Sequence, residues 1–207
     1  MHIADGILPA SACVAAHAAA LGGVWLSGRK IEPEEVVRMG LLSSAIFVVS
    51  MFHFPLGGTS IHLGLFGVAG ILLGWRSFPA VYVSLLFQAL LFQHGGLLSL
   101  GVNALNMGTG TLAAFLVWRS NWGGESTRSF LAGFAGAMIP SLLMTLEFFF
   151  AGYGKGFAVI ATLYSAVALI EGAITVFIVT FLRRVKPAVF CATPVAAVES
   201  EAARIGA

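Results

Sequence analysis

The sequence predicts an all-α integral membrane protein, a bundle of about seven transmembrane helices with its N-terminus outside and its C-terminus in the cytoplasm. Three observations carry that expectation. Hydrophobic residues make up 58% of the 207 and charged residues 10%, with a mean hydropathy of +0.95, which no ordinary soluble domain shows. Apolar runs near the ~20-residue length that crosses a bilayer recur along the whole chain, whereas a secreted protein would have one, near its start. Of the 11 lysines and arginines, all but Lys155 fall toward one side once the runs are taken as alternating crossings, and by the positive-inside rule that side is cytoplasmic.

The first apolar run, 8–27, is built of alanine, glycine and serine more than of leucine, which suits close helix packing. His17 within it is expected to bond a neighbouring helix. A charged connector from Arg29 to Glu35 follows, with Pro33 suited to a first helical turn beside acidic Glu34 and Glu35. The second run, 36–52, ends at His53-Phe54-Pro55-Leu56-Gly57-Gly58-Thr59-Ser60-Ile61-His62, where proline and paired glycines forbid a regular helix. Non-helical backbone at membrane depth survives only buried in protein or lining a cavity. Runs 61–75 and 78–92 are separated at Arg76-Ser77, and Gln93-His94-Gly95-Gly96 breaks the chain again. The fifth run, 100–118, carries Asn103 and Asn106 on one face. The sixth, 129–150, contains Pro140 as an expected kink, and the seventh covers 157–182. Residues 1–186 then form one transmembrane domain, and 187–207 a short cytoplasmic tail without fixed structure. Cys13 and Cys191 lie at opposite ends, and no disulfide is expected.

The start Met1-His2-Ile3-Ala4-Asp5-Gly6 draws the functional reading. A chain beginning Met-His offers a metal three nitrogens: the terminal amine, the amide between Met1 and His2 once deprotonated, and the His2 imidazole. Those donors close a five- and a six-membered ring and favour the tetragonal nitrogen field that nickel, copper and sometimes cobalt accept. Taken alone, a histidine at position 2 is more often an accident of sequence. Its setting shifts that balance, because His2, His53, His62 and His94 all fall at the outward ends of their segments. No leader cleavage is expected, since a basic region is missing at the start, and a bulky His2 should hinder removal of Met1.

The Met-His-Ile-Ala-Asp-Gly start, the loop Phe54-Pro55-Leu56-Gly57-Gly58-Thr59-Ser60-Ile61-His62-Leu63, and the stretch from Gln88 through His94-Gly95-Gly96 to Asn103 and Asn106-Met107-Gly108 resemble the CbiM/NikM family. That family is the substrate-capture component of energy-coupling factor transporters for cobalt and nickel. The resemblance spans nearly the whole chain. It implies a cell-membrane protein of a prokaryote that captures cobalt or nickel as cargo, in a near-square set of nitrogens from Met1, His2 and His62. It also implies partners: a transmembrane coupling subunit, ATP-binding cassette ATPases and a further small membrane subunit, with no nucleic acid and no catalytic cofactor.

Many relatives have asparagine where this chain has His53, which leaves that imidazole as an additional ligand, a partner behind the ligands, an entry site or a structural residue. His94 is expected to serve helix ends and loop closure more than ligation. Asn103 and Asn106 are expected to strut the metal loop, with Thr59 and Ser60 supporting it. Asp5 either caps the first helix or orients His2, capping being the stronger expectation. Glu147 and Glu171 stand inside apolar runs and are expected to bond neighbouring helices. No phosphate loop is present, so any ATP is expected to be hydrolysed by a partner. Two rival readings are a metal-dependent intramembrane enzyme and a passive channel. The first should show a His-Glu-x-x-His helix, the second a polar track across the spans, and the sequence has neither.

Overall fold

The computed structural model describes residues 2–56, 59–153 and 157–190; of residues 54–60 and 157–160 only the backbone is described. Met1, the pair Gly57-Gly58, Lys155 with its flanking glycines, and the tail from Cys191 onward lie outside the described residues, as do the side chains of Thr59 and Ser60.

Seven α-helices are described: α1 Ala10–Ser27, α2 Pro33–Met51, α3 Phe66–Leu73, α4 Ser77–Phe92, α5 Leu100–Arg119, α6 Glu125–Phe148 and α7 Phe157–Val185. Among the described residues, five helical runs are long and apolar enough to cross a membrane: α1, the stretch 66–92 that joins α3 to α4, α5, α6 with the turn after it, and α7 from Ala161. The protein is thus an all-helical multi-pass membrane protein, and helix length and composition support five crossings where seven separate spans were expected. The difference has two physical causes. Glu34, Glu35 and Arg38 charge the first turns of α2. The expected run 61–75 begins as strand, and the helix that follows has 8 residues, about 12 Å against a hydrocarbon core of about 30 Å.

The break after α2 is a β-hairpin that the sequence reading treated only as irregular loop. Strand β1 (His53–Leu56) pairs antiparallel with β2 (Thr59–His62), and His53 lies opposite His62. Pairing satisfies the backbone groups that proline and glycine keep out of a helix.

Short α3 is the most buried element, every residue from Phe66 to Ile71 being buried. Its neighbours approach closely because the contact positions are small. A methyl group at Gly67 would overlap the backbone of Gly133 on α6 and stand 2.9 Å from Thr175 Oγ1 on α7. One at Gly133 would stand 2.6 Å from the Glu171 carbonyl and 2.8 Å from Gly172 Cα. Such close approach replaces hydrophobic drive as the source of helix association in lipid. Helix α6 continues through Pro140, whose ring sits against Gly110 of α5. His17 on α1 meets the Tyr82 hydroxyl of α4 at 3.0 Å, the interhelical bond expected for it. Cys13 is buried and free, and Cys191 lies outside the described residues.

At the bundle end away from the histidines, the Arg76 guanidinium donates to the carbonyls of Ser27, Arg29 (2.7 Å) and Lys30 (2.9 Å) and pairs with Glu35 at 3.3 Å. It closes the C-terminus of α1, where unpaired carbonyls and the helix dipole favour a cation. Arg183 pairs with Glu125 at 3.1 Å and lies 4.2 Å over the Phe190 ring. Residues Pro187–Phe190 form a 3₁₀ turn, with the Phe190 ring 6.0 Å from that of Trp118, so the expected unstructured tail is corrected over these first residues.

The glycine contacts predict an asymmetry. Gly133→Ala should destabilise the protein by about 1–3 kcal/mol through overpacking, lowering the melting temperature in detergent. Gly40→Ala, where an added methyl meets nothing within 4 Å, should leave it unchanged or raise it.

Candidate metal centre

Residues 2–9, irregular at 2–4 and turning through 5–8 ahead of α1, lie against the N-terminus of α5. The attachment is a two-way bond between Ile3 and Asn103. The Ile3 amide donates to Asn103 Oδ1 at 2.8 Å, and Asn103 Nδ2 donates back to the Ile3 carbonyl at 3.0 Å. One side-chain amide thereby substitutes for a neighbouring strand. Asn103 Nδ2 also reaches the Gly95 carbonyl at 3.2 Å, and the Ser99 hydroxyl donates to the Ile3 carbonyl at 2.8 Å. The Ile3 side chain is fully buried.

Asp5 does not cap α1, whose first residue is Ala10 and whose capping position is Pro9. Its carboxylate instead accepts the Ser99 amide at 2.8 Å and the Leu98 amide at 3.3 Å, and shares the single Ser99 hydroxyl proton, also at 2.8 Å, with the Ile3 carbonyl. These are the donors that α5 leaves unpaired at its start. Burial raises the Asp5 carboxyl, but the hydrogen bonds from Ser99, Leu98 and Leu97 outweigh it and hold the group below its ordinary value. Gly95 and Gly96 adopt φ of +93° and +77°. Side chains at these positions would also collide: a methyl on Gly95 would lie 2.9 Å from His2 Nδ1, and one on Gly96 would overlap the Asp5 carboxylate.

This arrangement brings four imidazoles together. The His2 and His62 ring centres are 4.7 Å apart, those of His2 and His94 4.3 Å, and those of His53 and His94 4.4 Å; His62 and His94 are 5.7 Å apart. Ligand nitrogens of His2, His62 and His94 all lie within 4.8 Å of one another, the one such group among the described residues. A metal–nitrogen bond of about 2.0–2.1 Å places an imidazole centre roughly 3.2 Å from the ion, so two imidazoles at right angles on one ion have centres about 4.5 Å apart. The shorter separations match that spacing.

His2 and His62 are 4% and 3% exposed, His94 is half-buried and His53 is exposed. His62 Nδ1 donates to the Leu63 carbonyl at 3.0 Å, which leaves the lone pair on Nε2, a buried nitrogen without a hydrogen-bond partner among the described residues. Burial, ahead of neighbouring imidazoles, pushes the His2 ring well below the ordinary histidine value. Burial is also the largest cause for His62, likewise lowered well below it, and for His94, lowered to about 4. All three are neutral at pH 7, the form that binds a metal.

The site reaches beyond the histidines and their expected supports, and takes in an acid expected only to bond a neighbouring helix. Glu171 of α7, fully buried, accepts the amides of Gly64 and, at 3.1 Å, Leu65. It caps α3 and fixes the backbone directly after His62. Ile3 and Ser99 were missed; a serine one residue ahead of a helix was the available signal for the latter. Asn106 does not strut the metal loop. It donates to Glu147 of α6 at 2.7 Å, because one turn along α5 the facing neighbour is α6 and not the N-terminal segment.

The pattern of the "Cobalt uptake substrate-specific transmembrane region" family, CbiM, matches residues 2–189. A fused nickel transport protein, NikMN, of Rhodobacter capsulatus is 35% identical over 72% of this chain and 47% of its own length. The cobalt transport protein CbiM of Sorangium cellulosum is 30% identical over 90% of this chain and 93% of its own. A relative from Haemophilus influenzae is 38% identical over 58% of each chain, so this chain spans about half the length of some curated relatives. Two crystal structures described as a transition metal transporter, one of them truncated, share the fold with TM-scores of 0.80 and 0.79 at 24% identity. They cover 89% of this chain and, respectively, 93% and 99% of their own.

Removing the bracket should loosen the N-terminal segment. Asn103→Ala leaves the buried Ile3 amide unpaired, a cost of about 1–3 kcal/mol, and should speed its hydrogen exchange roughly 10- to 100-fold. Asn106→Ala should leave that amide as protected as before.

Proposed function

Because this chain belongs to the CbiM family of cobalt-uptake transmembrane components, we propose that it captures a cobalt or nickel ion at the outward end of its bundle and passes it to an ATP-driven energy-coupling module for import. The observation that carries the reading is the buried pair His2 and His62, 4.7 Å between ring centres, with His62 Nε2 unpartnered among the described residues. In an amine–amide–imidazole chelate, the amine lies opposite the His2 imidazole and the amide opposite the vacant corner. A donor filling that corner stands at right angles to the His2 imidazole, the relation that the ring spacing fits. Met1, His2 and His62 are therefore assigned as ligands.

Capture fits better than hydrolysis, because the ligand nitrogens gathered among the described residues are all imidazoles and no carboxylate joins them. Asp5 is held by the amides of residues 98 and 99 at the start of α5. The concentration of arginines at the other end of the bundle supports an outward-facing histidine end and a cytoplasmic C-terminus. A relative whose name joins two components, NikMN, supports a partner membrane subunit. A coupling subunit and ATPases complete the proposed assembly.

The reading is tested on the full chain purified with a native N-terminus. It should retain one equivalent of nickel or cobalt without turnover or passive flux. Acetylating Met1 or replacing His62 by alanine should abolish high-affinity binding while the melting curve stays intact; unaltered affinity in both overturns the ligand set.

The pH dependence separates the donors. Burial holds the His2 and His62 imidazoles well below the ordinary histidine value, toward the neutral form that sheds no proton on binding. An α-amine, whose ordinary value is about 7.7–8.0, and a peptide amide do. Affinity should fall as pH drops from 8 to 6 with more than one proton released per ion, counted by calorimetry in buffers of different ionisation enthalpy. A site of imidazoles alone would give a count near zero over that range.

A further inference from the structure

His53 and His94 extend the cluster outward in a graded way. Exposure falls along the series, from exposed His53 through half-buried His94 to His2 and His62 at 4% and 3%. Successive ring centres along His53, His94 and His2 are separated by 4.4 and 4.3 Å. Both steps match the spacing of two imidazoles at right angles on one ion, about 4.5 Å. His94 is common to both pairs.

The hairpin presents its two histidines alike. Their backbones are register partners, so both side chains leave the same face of the ribbon. His53 Nδ1 lies 3.0 Å from the Met51 carbonyl, as His62 Nδ1 lies 3.0 Å from that of Leu63. Donation from Nδ1 leaves the Nε2 lone pair of His53 available to a metal, as it does in His62. A purely structural histidine at an exposed strand position has no need of a ring neighbour on the path to a buried metal centre.

We propose that His53 and His94 form an outer docking station for a hydrated divalent transition-metal ion and relay it to the buried ligands. The ion exchanges water for the two outer imidazoles, keeps its bond to His94 while forming one to His2, and then releases His53. Dehydration is thereby divided into steps in which a nitrogen replaces each departing ligand, and the ion enters the buried site without passing through an undercoordinated state. This inference rests on the assignment of His2 and His62 as capture ligands. It gives His53 a kinetic role and no place in the final coordination sphere.

The test is stopped-flow association and dissociation of Ni(II) with the full chain in detergent, alongside its equilibrium affinity. His53→Asn is the informative variant, because its side-chain amide can donate to the Met51 carbonyl but supplies no imidazole. In both His53→Ala and His53→Asn, the relay predicts association and dissociation rates reduced together by about tenfold, a barrier change near 1.4 kcal/mol, with equilibrium affinity unchanged. Weaker affinity caused by faster dissociation alone would make His53 a ligand of the final site and overturn the relay. Unchanged rates, or rates restored in His53→Asn, would reduce it to a structural residue. Wild-type affinity in His62→Ala is a separate result, which removes the capture assignment and the relay with it.

Discussion

The candidate metal centre depends on a single side-chain amide, that of Asn103, which gives the backbone of Ile3 both a donor and an acceptor. An extended chain end has no partners of its own, and an unpaired peptide group buried in a membrane protein is costly. Asn103 removes that cost at one residue, the Ser99 hydroxyl adds a second bond to the same carbonyl, and buried Ile3 anchors the segment by its side chain. Asp5 then joins the segment to the start of α5 through a carboxylate that the helix end would favour in any case. His2, between these anchors and the terminus, is held against His62 and His94 as a result.

His62 is held from the opposite side by similar means. The hairpin aligns it with His53, the Leu63 carbonyl orients its ring, and Glu171 pins the amides of the next two residues to α7. Each histidine of the buried pair is therefore positioned by backbone contacts to a different helix, α5 for His2 and α7 for His62. These two helices are brought near each other through α3 and α6, whose glycines allow backbone to meet backbone. The glycine packing and the histidine cluster are consequently one structural problem, since a shift of α7 against α6 moves the carboxylate that fixes the chain after His62.

The opposite end is organised by charge. Arg76 gathers three carbonyls at the end of α1 and the carboxylate of Glu35, while Arg183 ties the end of α7 to the start of α6. The bundle thus gathers imidazoles at one end and guanidinium pairs at the other.

Much was legible without coordinates. Composition and apolar run length identified a multi-pass helical membrane protein, since lipid admits few alternatives to helices. The Met-His start, the Gly-Thr-Ser-x-His loop and the His-Gly-Gly turn identified the family and the histidines, because residue type and order decide which donors exist. Distances between remote segments are not contained in such patterns. That Asp5 serves α5 and not α1, that Asn106 faces Glu147, that residues 53–62 pair as a ribbon, and that α3 is only 8 residues long were settled by tertiary contacts. Capping, pairing and hydrogen bonding are satisfied by whichever donor or acceptor the packing brings within reach, and for a membrane protein held together by close helix approach that choice is made in three dimensions.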